Sequence, residues 1–572
     1  MSTATTAPQA QAPQHVGATD RSGLGITLGL VGGALLLVSG LLSWSYEPIF
    51  GDISVRFWPV TLQVFAMLIG ATALVIGLSA SVLSKPLGWL SAGRGLQGLG
   101  IGATVFSVLS LLAIATTAGG LINANEGGWI ALVGSLLVAG GGWLARHRVS
   151  SREPFHVKAP STVEIGIIVV VCAAALAIAA YALGRDDAWV FVLFLLTIAV
   201  IAVGLAKAGL FGYLGAAAQR HQHVLTLGAF VAAFLFPFTQ DGSEINMSIA
   251  TGVLIFAATA IGLNIVVGLA GLLDLGYIAF LGAGAYVGAI LSGSVSSSIG
   301  WTPPFLVTAL IGGVFAAMLG LIVGSPTLRV SGDYLAIVTL AFGEIFRLSM
   351  FNLDGNNGPD LTNGPNGVTA IPDLNLFGFD FGATHVIAGI PLSRAANYYL
   401  FMLLLTALIV LIFARLNNSR IGRGWVAIRE DERAAEAMGV NTFGLKLLAF
   451  AGGAFLAGIA GTVKAHYDTS VTPDQYQFLE SAFLLAAVVL GGMGTIAGVI
   501  LGAVILKLMP EKLRFFNEYR LLLFGLLLVL MMRFRPEGLV ANRRRQLEFH
   551  EDDEELADEV GEWKHVKEED AR

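Results

Sequence analysis

Between residues 24 and 532 the chain alternates continuous apolar runs with short polar connectors. The runs Leu24–Trp44, Val60–Leu83 and Val163–Leu183 are the cleanest, and each reaches the roughly 20 apolar residues that a helix needs to cross a hydrocarbon core. Further runs lie near 97–118, 129–145, 188–206, 224–239 and 247–273. The second half is more broken, with pieces at 276–291, 304–323, 334–350, 397–416, 446–463, 478–490, 495–508 and 521–532. Several of these are too short to cross alone. Such segments are tolerated at membrane depth only where protein buries them or a cavity adjoins them, so this half is where a passage is expected. The runs are continuous, not alternating, and too long for barrel strands. The pattern therefore predicts an all-α polytopic membrane protein with about 16 transmembrane or partial-span helices.

Composition agrees: 55% of residues are hydrophobic and 13% charged, against about a quarter charged in soluble proteins. The 71 glycines would weaken soluble helices but let helix backbones approach closely in lipid. Gly453, Ala457 and Gly461 recur every four residues, as do Gly494, Gly498 and Gly502; each trio predicts a smooth stripe on one helix face, and Gly284 and Gly288 repeat the pattern beside Tyr286. Residues 1–23, rich in Ala, Thr, Gln and Pro, lack the features of a secretory signal and read as a disordered cytoplasmic tail. Residues 541–572 read as a second, charged cytoplasmic tail, which carries much of the formal net charge of -6 and is no nucleic-acid site. Basic residues mark the cytoplasmic connectors: Lys85 and Arg94, then Arg146, Arg148, Arg152 and Lys158, then Lys207 and Arg220, later Arg415, Arg420, Arg423 and Arg429. Both termini come out cytoplasmic. Lys507, Lys512, Arg514 and Arg520 fall on the opposite side.

Few residues carry chemistry. No Gly-Lys dipeptide occurs, so a phosphate-binding loop of the G-x-x-x-x-G-K-[ST] type is absent and this chain is expected to be no enzyme. The nine histidines form no metal-ligand spacing, and neither cofactor nor metal is expected; His221 and His223 read as interfacial. The single cysteine, Cys172, sits in an apolar run as a packing residue. Asp274, Asp333, Glu344 and Glu480 are ionisable groups in apolar surroundings. Glu344 precedes Arg347 by three residues, which predicts an ion pair on one helix face. Asp274 and Asp333 fall near span ends, where an interfacial position is equally open.

From residue 224 onward, over about 320 residues, the chain resembles LivM-type permeases, the membrane subunits of branched-chain amino acid ABC importers. The resemblance rests on the stretches Gly262–Tyr277, Gly332–Ile345, Thr362–Gly367, Arg429–Glu432, Val489–Gly494, Phe516–Tyr519 and Arg535–Leu539, in that order. It implies a permease core over 224–540 of about ten helices, preceded by an extension of about six transmembrane helices over 24–210. It implies an assembly with two ABC ATPase subunits, a second LivH-like permease subunit and a soluble amino-acid-binding protein, in the lipid of a bacterial inner membrane. A urea or short-amide importer shares the architecture; an ion-coupled secondary transporter is the reading from another class, although no inverted repeat is apparent. The connector between about Leu416 and Lys446 is similar to an ABC-importer coupling loop, written E-A-A-x-x-x-G. Ala434, Ala435 and Gly439 fit its spacing, whereas Arg433 stands at the glutamate position and Glu432 lies one residue early.

The segment Arg429 to Met438, with Glu430, Asp431 and Glu432 near its start, is expected to form one short helix ended by Gly439. Ile428, Ala435 and Met438 are expected near one face, with Asn441 or Thr442 capping the next helix. Asn264, Tyr286 and Thr339 are candidates for the substrate path. In the long polar connector from Phe351 to about Asn397, Asn363 and Asn366 are candidates for an outer gate or docking surface.

Overall fold

The computed structural model describes residues 21–45, 61–146, 159–184, 188–327 except 296 and 298, 334–512 except 357 and 388, and residues 522, 525, 526, 529, 533 and 538–540. Both predicted tails, the apolar run 521–532, Asp333 and the stretch Phe516–Tyr519 lie outside the described residues or almost wholly so. Contacts divide the chain into two units, Met1–Phe236 and Pro237–Arg572.

The first unit holds α1 (Arg21–Ser39), α2 (Thr61–Ser79), α3 (Ser84–Leu87), α4 (Ala92–Thr117), α5 (Glu126–Ala145), α6 (Ser161–Leu183), α7 (Ala188–Ala208), α8 (Leu210–Arg220) and α9 (Gln222–Leu235). Glycine sets its packing. An atom added at Gly134 would strike the Gly32 carbonyl, one at Gly141 the Gly25 carbonyl, and one at Gly142 the backbone of Gln97, so α5 lies flush against α1 and α4. The Glu164 carboxylate accepts from Arg220 at 2.6 Å, and His221 Nε2 lies 3.1 Å from it, which ties the start of α6 to the α8–α9 turn. His221 thus has a structural partner. Cys172 is buried and free.

The second unit holds α10 (Glu244–Asn264), α11 (Ile278–Ile290), α12 (Phe305–Thr327), α13 (Tyr334–Asn352), α14 (Arg394–Asn417), α15 (Arg420–Glu430), α16 (Glu432–Ala437), α17 (Thr442–Asp468), α18 (Phe478–Gly491) and α19 (Ile496–Lys512). Two small antiparallel hairpins, β1 (Asn375–Leu376) with β2 (Phe379–Asp380) and β3 (His385–Ile387) with β4 (Ile390–Leu392), occupy the connector between α13 and α14. Helix α17 is the axis of this unit and packs on α10, α11 and α12. Gly461 meets the Leu281 carbonyl, Gly284 the Gly458 carbonyl and Gly458 that of Gly312. The stripe on α17 is therefore a helix contact. Gly498 and Gly502 likewise press α19 onto α18, but Gly494 lies outside α19 with a left-handed φ of 79°, so it turns the chain and does not extend the stripe.

Twelve helices among the described residues are long and apolar enough to span, fewer than the expected 16. The difference lies in α11, α18 and α19, of 13, 14 and 17 residues, which are apolar but short, and in the run 521–532. Large apolar side chains such as Val170, Leu227, Ile322 and Leu404 are exposed around the helices, as a lipid-facing surface requires.

Two glycines of α17 separate packing from propensity. An added Cβ at Gly461 collides with the α11 backbone, whereas at Gly452 nothing lies within 4 Å. Gly461→Ala is expected to destabilise by about 1–3 kcal/mol through overpacking, while Gly452→Ala is neutral or stabilising. Thermal unfolding in detergent checks the contrast.

Candidate substrate path and coupling segment

Helix α10 does not run directly into α11. After Asn264 the backbone opens into a wide turn over Ile265–Leu269, and Ala270–Tyr277 then runs without helix, with Gly271 and Leu273 exposed and Asp274, Gly276 and Tyr277 buried. In an apolar medium every freed peptide group needs a protein partner. Asp274 Oδ1 accepts from the Gly276 N–H at 2.9 Å, and Thr339 Oγ1 accepts from the Leu275 N–H at 3.0 Å. The Ile278 N–H donates to Ser481 Oγ at 3.0 Å, and the Tyr277 hydroxyl donates to the Gly453 carbonyl at 2.6 Å. Asn264 Oδ1 accepts from the Gly494 N–H at 2.8 Å while its Nδ2 donates to the Thr495 carbonyl at 3.3 Å. Asn264 and Thr339, both candidates for the path, thus hold the broken span and its neighbours together. Asp274 is 1% exposed and so buried within the protein.

Tyr286 lies in an aromatic cluster, with ring centroids 6.2 Å from Phe346 and 6.1 Å from Tyr476; the hydroxyls of Tyr286 and Tyr476 are buried without a hydrogen bond. Asn363 takes a left-handed φ of 57°, and its Nδ2 donates to the Gly367 carbonyl at 3.1 Å. The turn is fixed further by Thr362 Oγ1, which donates to the Met350 carbonyl at 2.6 Å, and by a bridge between Val368 and Val471. Asn366 is exposed at its tip. No hydrogen bond or ring contact among the described residues joins Asn264, Tyr286, Thr339 and the 363–366 turn into one constellation. The expected ion pair does form: Arg347 Nη2 lies 2.5 Å from Glu344 Oε1, and its Nη1 lies 3.3 Å from Asp474 on another element.

The segment expected as one helix from Arg429 to Met438 is two. Asp431 has extended backbone, φ -154°, and its side chain accepts from the Ala434 N–H at 3.0 Å, so it ends α15 and caps α16. An aspartate competes with helix continuation by this local bond, which is why the break falls there. Gly439 has φ 82° and terminates the segment, and Asn441 Oδ1 accepts from the Gly444 N–H at 2.9 Å as the cap of α17. Ile428 and Ala435 are buried, at 4% and 5% exposure, but Met438 is 85% exposed and leaves their face. Ala434, Arg433 and Glu436 are also exposed. Glu432 is ion-paired with Lys446, and Trp425 Nε1 donates to the Leu445 carbonyl at 2.7 Å, which fixes both short helices to the first turns of α17.

One connection has no local sequence signal. Arg429 Nη1 donates to the Gly268 carbonyl at 3.0 Å, and its Nη2 pairs with Glu430 at 2.6 Å. A Cβ on Gly271 would meet the Arg429 side chain, so the glycine admits it. Beside them a cleft of about 340 Å³ is lined by Gly268, Leu273, Arg429, Glu430 and Met493. The short helices and the broken span are therefore tied at one point.

A family model described as the permease component of branched-chain amino acid transport systems matches residues 245–532. The chain belongs to that permease family. Among curated relatives, the high-affinity branched-chain amino acid transport system permease protein LivM of Escherichia coli K12 is 41% identical over 340 residues, covering 57% of this chain and 77% of that protein. The LivM of Salmonella typhimurium is 40% identical over the same shares, and LivH of Escherichia coli K12 is 31% identical over 138 residues, covering 24% of this chain and 44% of that protein. No solved structure matches. The family match begins at residue 245, inside α10, and so includes the broken span and α15–α16 but none of the first unit. Membership in the permease family makes this a multi-pass membrane transport subunit.

Asn264→Leu removes an acceptor from the buried Gly494 N–H. It is expected to lower stability by about 1–3 kcal/mol, read as an earlier midpoint in detergent unfolding.

Proposed function

We propose that this chain is the transmembrane permease subunit of an ABC importer that moves branched-chain amino acids into the cytoplasm. Two partner ATPase subunits hydrolyse the ATP, a second LivH-like permease subunit completes the membrane assembly, and a soluble binding protein delivers the amino acid on the far side. Both termini are cytoplasmic in this reading, as the basic connectors require.

The observation that carries the reading is the construction of Arg420–Asn441. It is a charged pair of short helices, anchored to α17 by Trp425 and Glu432 and to the broken span through Arg429 and Gly268. It turns Arg433, Ala434, Glu436 and Met438 outward. An element that receives force from an ATPase must be rigidly attached behind and free in front, and this one is both. Arg429, Glu430, Asp431, Glu432, Ala434, Ala435 and Gly439 are the coupling residues, with Arg429, Asp431, Glu432 and Gly439 shaping the segment and Ala434 facing the partner. Asn363 and Asn366, on a rigid turn with an exposed tip, serve as the docking surface for the delivery protein.

Met438→Asp and Ala434→Glu alter exposed side chains, so membrane insertion and yield are expected to stay normal. ATP-dependent leucine uptake is expected to fall at least tenfold and recovery of the ATPases with the permease to drop. Normal uptake and normal recovery in both variants place coupling elsewhere. Leucine uptake is also expected to persist when the proton gradient is collapsed with ATP maintained; its loss favours an ion-coupled transporter.

A further inference from the structure

A second cleft in the Pro237–Arg572 unit lies between α10, α17, α18 and α19, at the end of α17 remote from Asn441. It consists of two adjoining hollows that share Gly252, Tyr467, Asp468 and Lys507 as lining. The outer, of about 500 Å³, is also lined by Glu244, Arg394 and Glu511. The inner, of about 180 Å³, is floored by Ile255, Phe256, Leu281 and Leu484.

Most charges around these hollows are already committed. Arg394 pairs with Asp373 at 2.7 Å and donates to the Tyr467 carbonyl at 2.8 Å, and Lys464 is paired with Asp468 and reaches Gln475 Oε1 at 3.3 Å. Two are not. The Lys507 ammonium lies 5.7 Å over the Phe256 ring and, like the carboxylate of Glu480 in the first turn of α18, makes no hydrogen bond or ion pair among the described residues. Both are only partly exposed. Ionisable groups in such surroundings cost free energy unless something compensates them. With Lys507 and Glu480 the cleft leaves one cation and one anion uncommitted beside an aliphatic–aromatic hollow, a set that matches a small ligand carrying both charges and an apolar body. An uncharged short amide would leave both charges uncompensated.

We propose that this cleft is an amino-acid subsite within the permease: Lys507 receives the α-carboxylate, Glu480 the α-ammonium group, and the branched aliphatic side chain enters the Ile255, Phe256 and Leu484 hollow. The proposal rests on the importer reading above and adds that the membrane subunit itself selects its cargo. The test uses the complete importer in proteoliposomes for ATP-dependent uptake, and the same assembly without its binding protein for equilibrium binding of radiolabelled leucine with alanine as competitor. Lys507→Gln and Glu480→Gln are each expected to weaken leucine binding and uptake at least tenfold, with Lys507→Arg and Glu480→Asp recovering a large part. Leu484→Ala is expected to lower the leucine-to-alanine binding ratio several-fold, a change in selectivity that a purely structural role would not produce. Wild-type uptake together with unaltered binding and uptake in both charge-removing variants overturns the subsite and leaves the importer reading intact. Equal loss in the conservative variants, with an unchanged leucine-to-alanine ratio in Leu484→Ala, also overturns it. Absence of ATP-dependent leucine uptake in the wild type defeats the importer reading itself.

Discussion

Peptide groups that leave a helix at membrane depth must find partners in protein, and the second unit is organised around one stretch where they do. Between Asn264 and Ile278 the backbone leaves the α-helical ladder: Thr339 from α13 and Ser481 from α18 accept the Leu275 and Ile278 N–H groups, Arg429 donates to the Gly268 carbonyl, and the side chains of Asn264 and Tyr277 tie the stretch to the Gly494–Thr495 turn and to Gly453 of α17. Thr339, Ser481 and Asp274 accept N–H groups of this stretch and Asn264 accepts that of Gly494, so an apolar residue at any of these positions would strand a donor, while the Tyr277 hydroxyl adds a bond to the Gly453 carbonyl. Their polarity is therefore explained by backbone satisfaction before any cargo is invoked.

The same constraint selects the glycines. Polar side chains can reach across only if helix backbones approach closely, and the contacts of Gly262 with Gly453, Gly284 with Gly458 and Gly461 with Leu281 bring α10, α11 and α17 within that reach. Small residues and buried hydrogen bonds are thus two halves of one arrangement. The link from Arg429 to Gly268 extends it to the short helices outside the bundle, since the carbonyl that Arg429 takes is one released by the wide turn after α10.

Much of this was legible in the chain. Continuous apolar runs located the helices, because in lipid the helix is the local solution that satisfies its own backbone. The Glu344–Arg347 pair, the Asn441 cap and the left-handed Gly439 were readable because each depends on residues within a few positions. Three features were not. Asp431 sits where acidic residues favour a helix start, and the start is real, but its own cap breaks the expected helix in two. Gly494 kept the four-residue spacing of its neighbours while belonging to a turn. Asn264 and Thr339 carry polarity in apolar runs, which sequence alone reads equally as a ligand contact; their partners lie 231 and 64 positions away, and only the fold reveals them. The committed and uncommitted charges of the second cleft were separable only in the same way.

The hydrogen bond from Tyr277 to Gly453 spans 176 positions, that from Ile278 to Ser481 spans 203, and that from Gly494 to Asn264 spans 230. A ribosome adding about 5–20 residues per second makes Gly453 roughly ten seconds or more after Tyr277, and Ser481 and Gly494 later still. For that interval the α10–α11 region is in or near the membrane with its peptide groups lacking their final partners. Assembly of this chain therefore has an order imposed by timing: the break that organises the mature core is the last part of it to become stable, and the nascent protein depends on water, lipid headgroups or the insertion machinery to hold it open until α17 and α18 arrive.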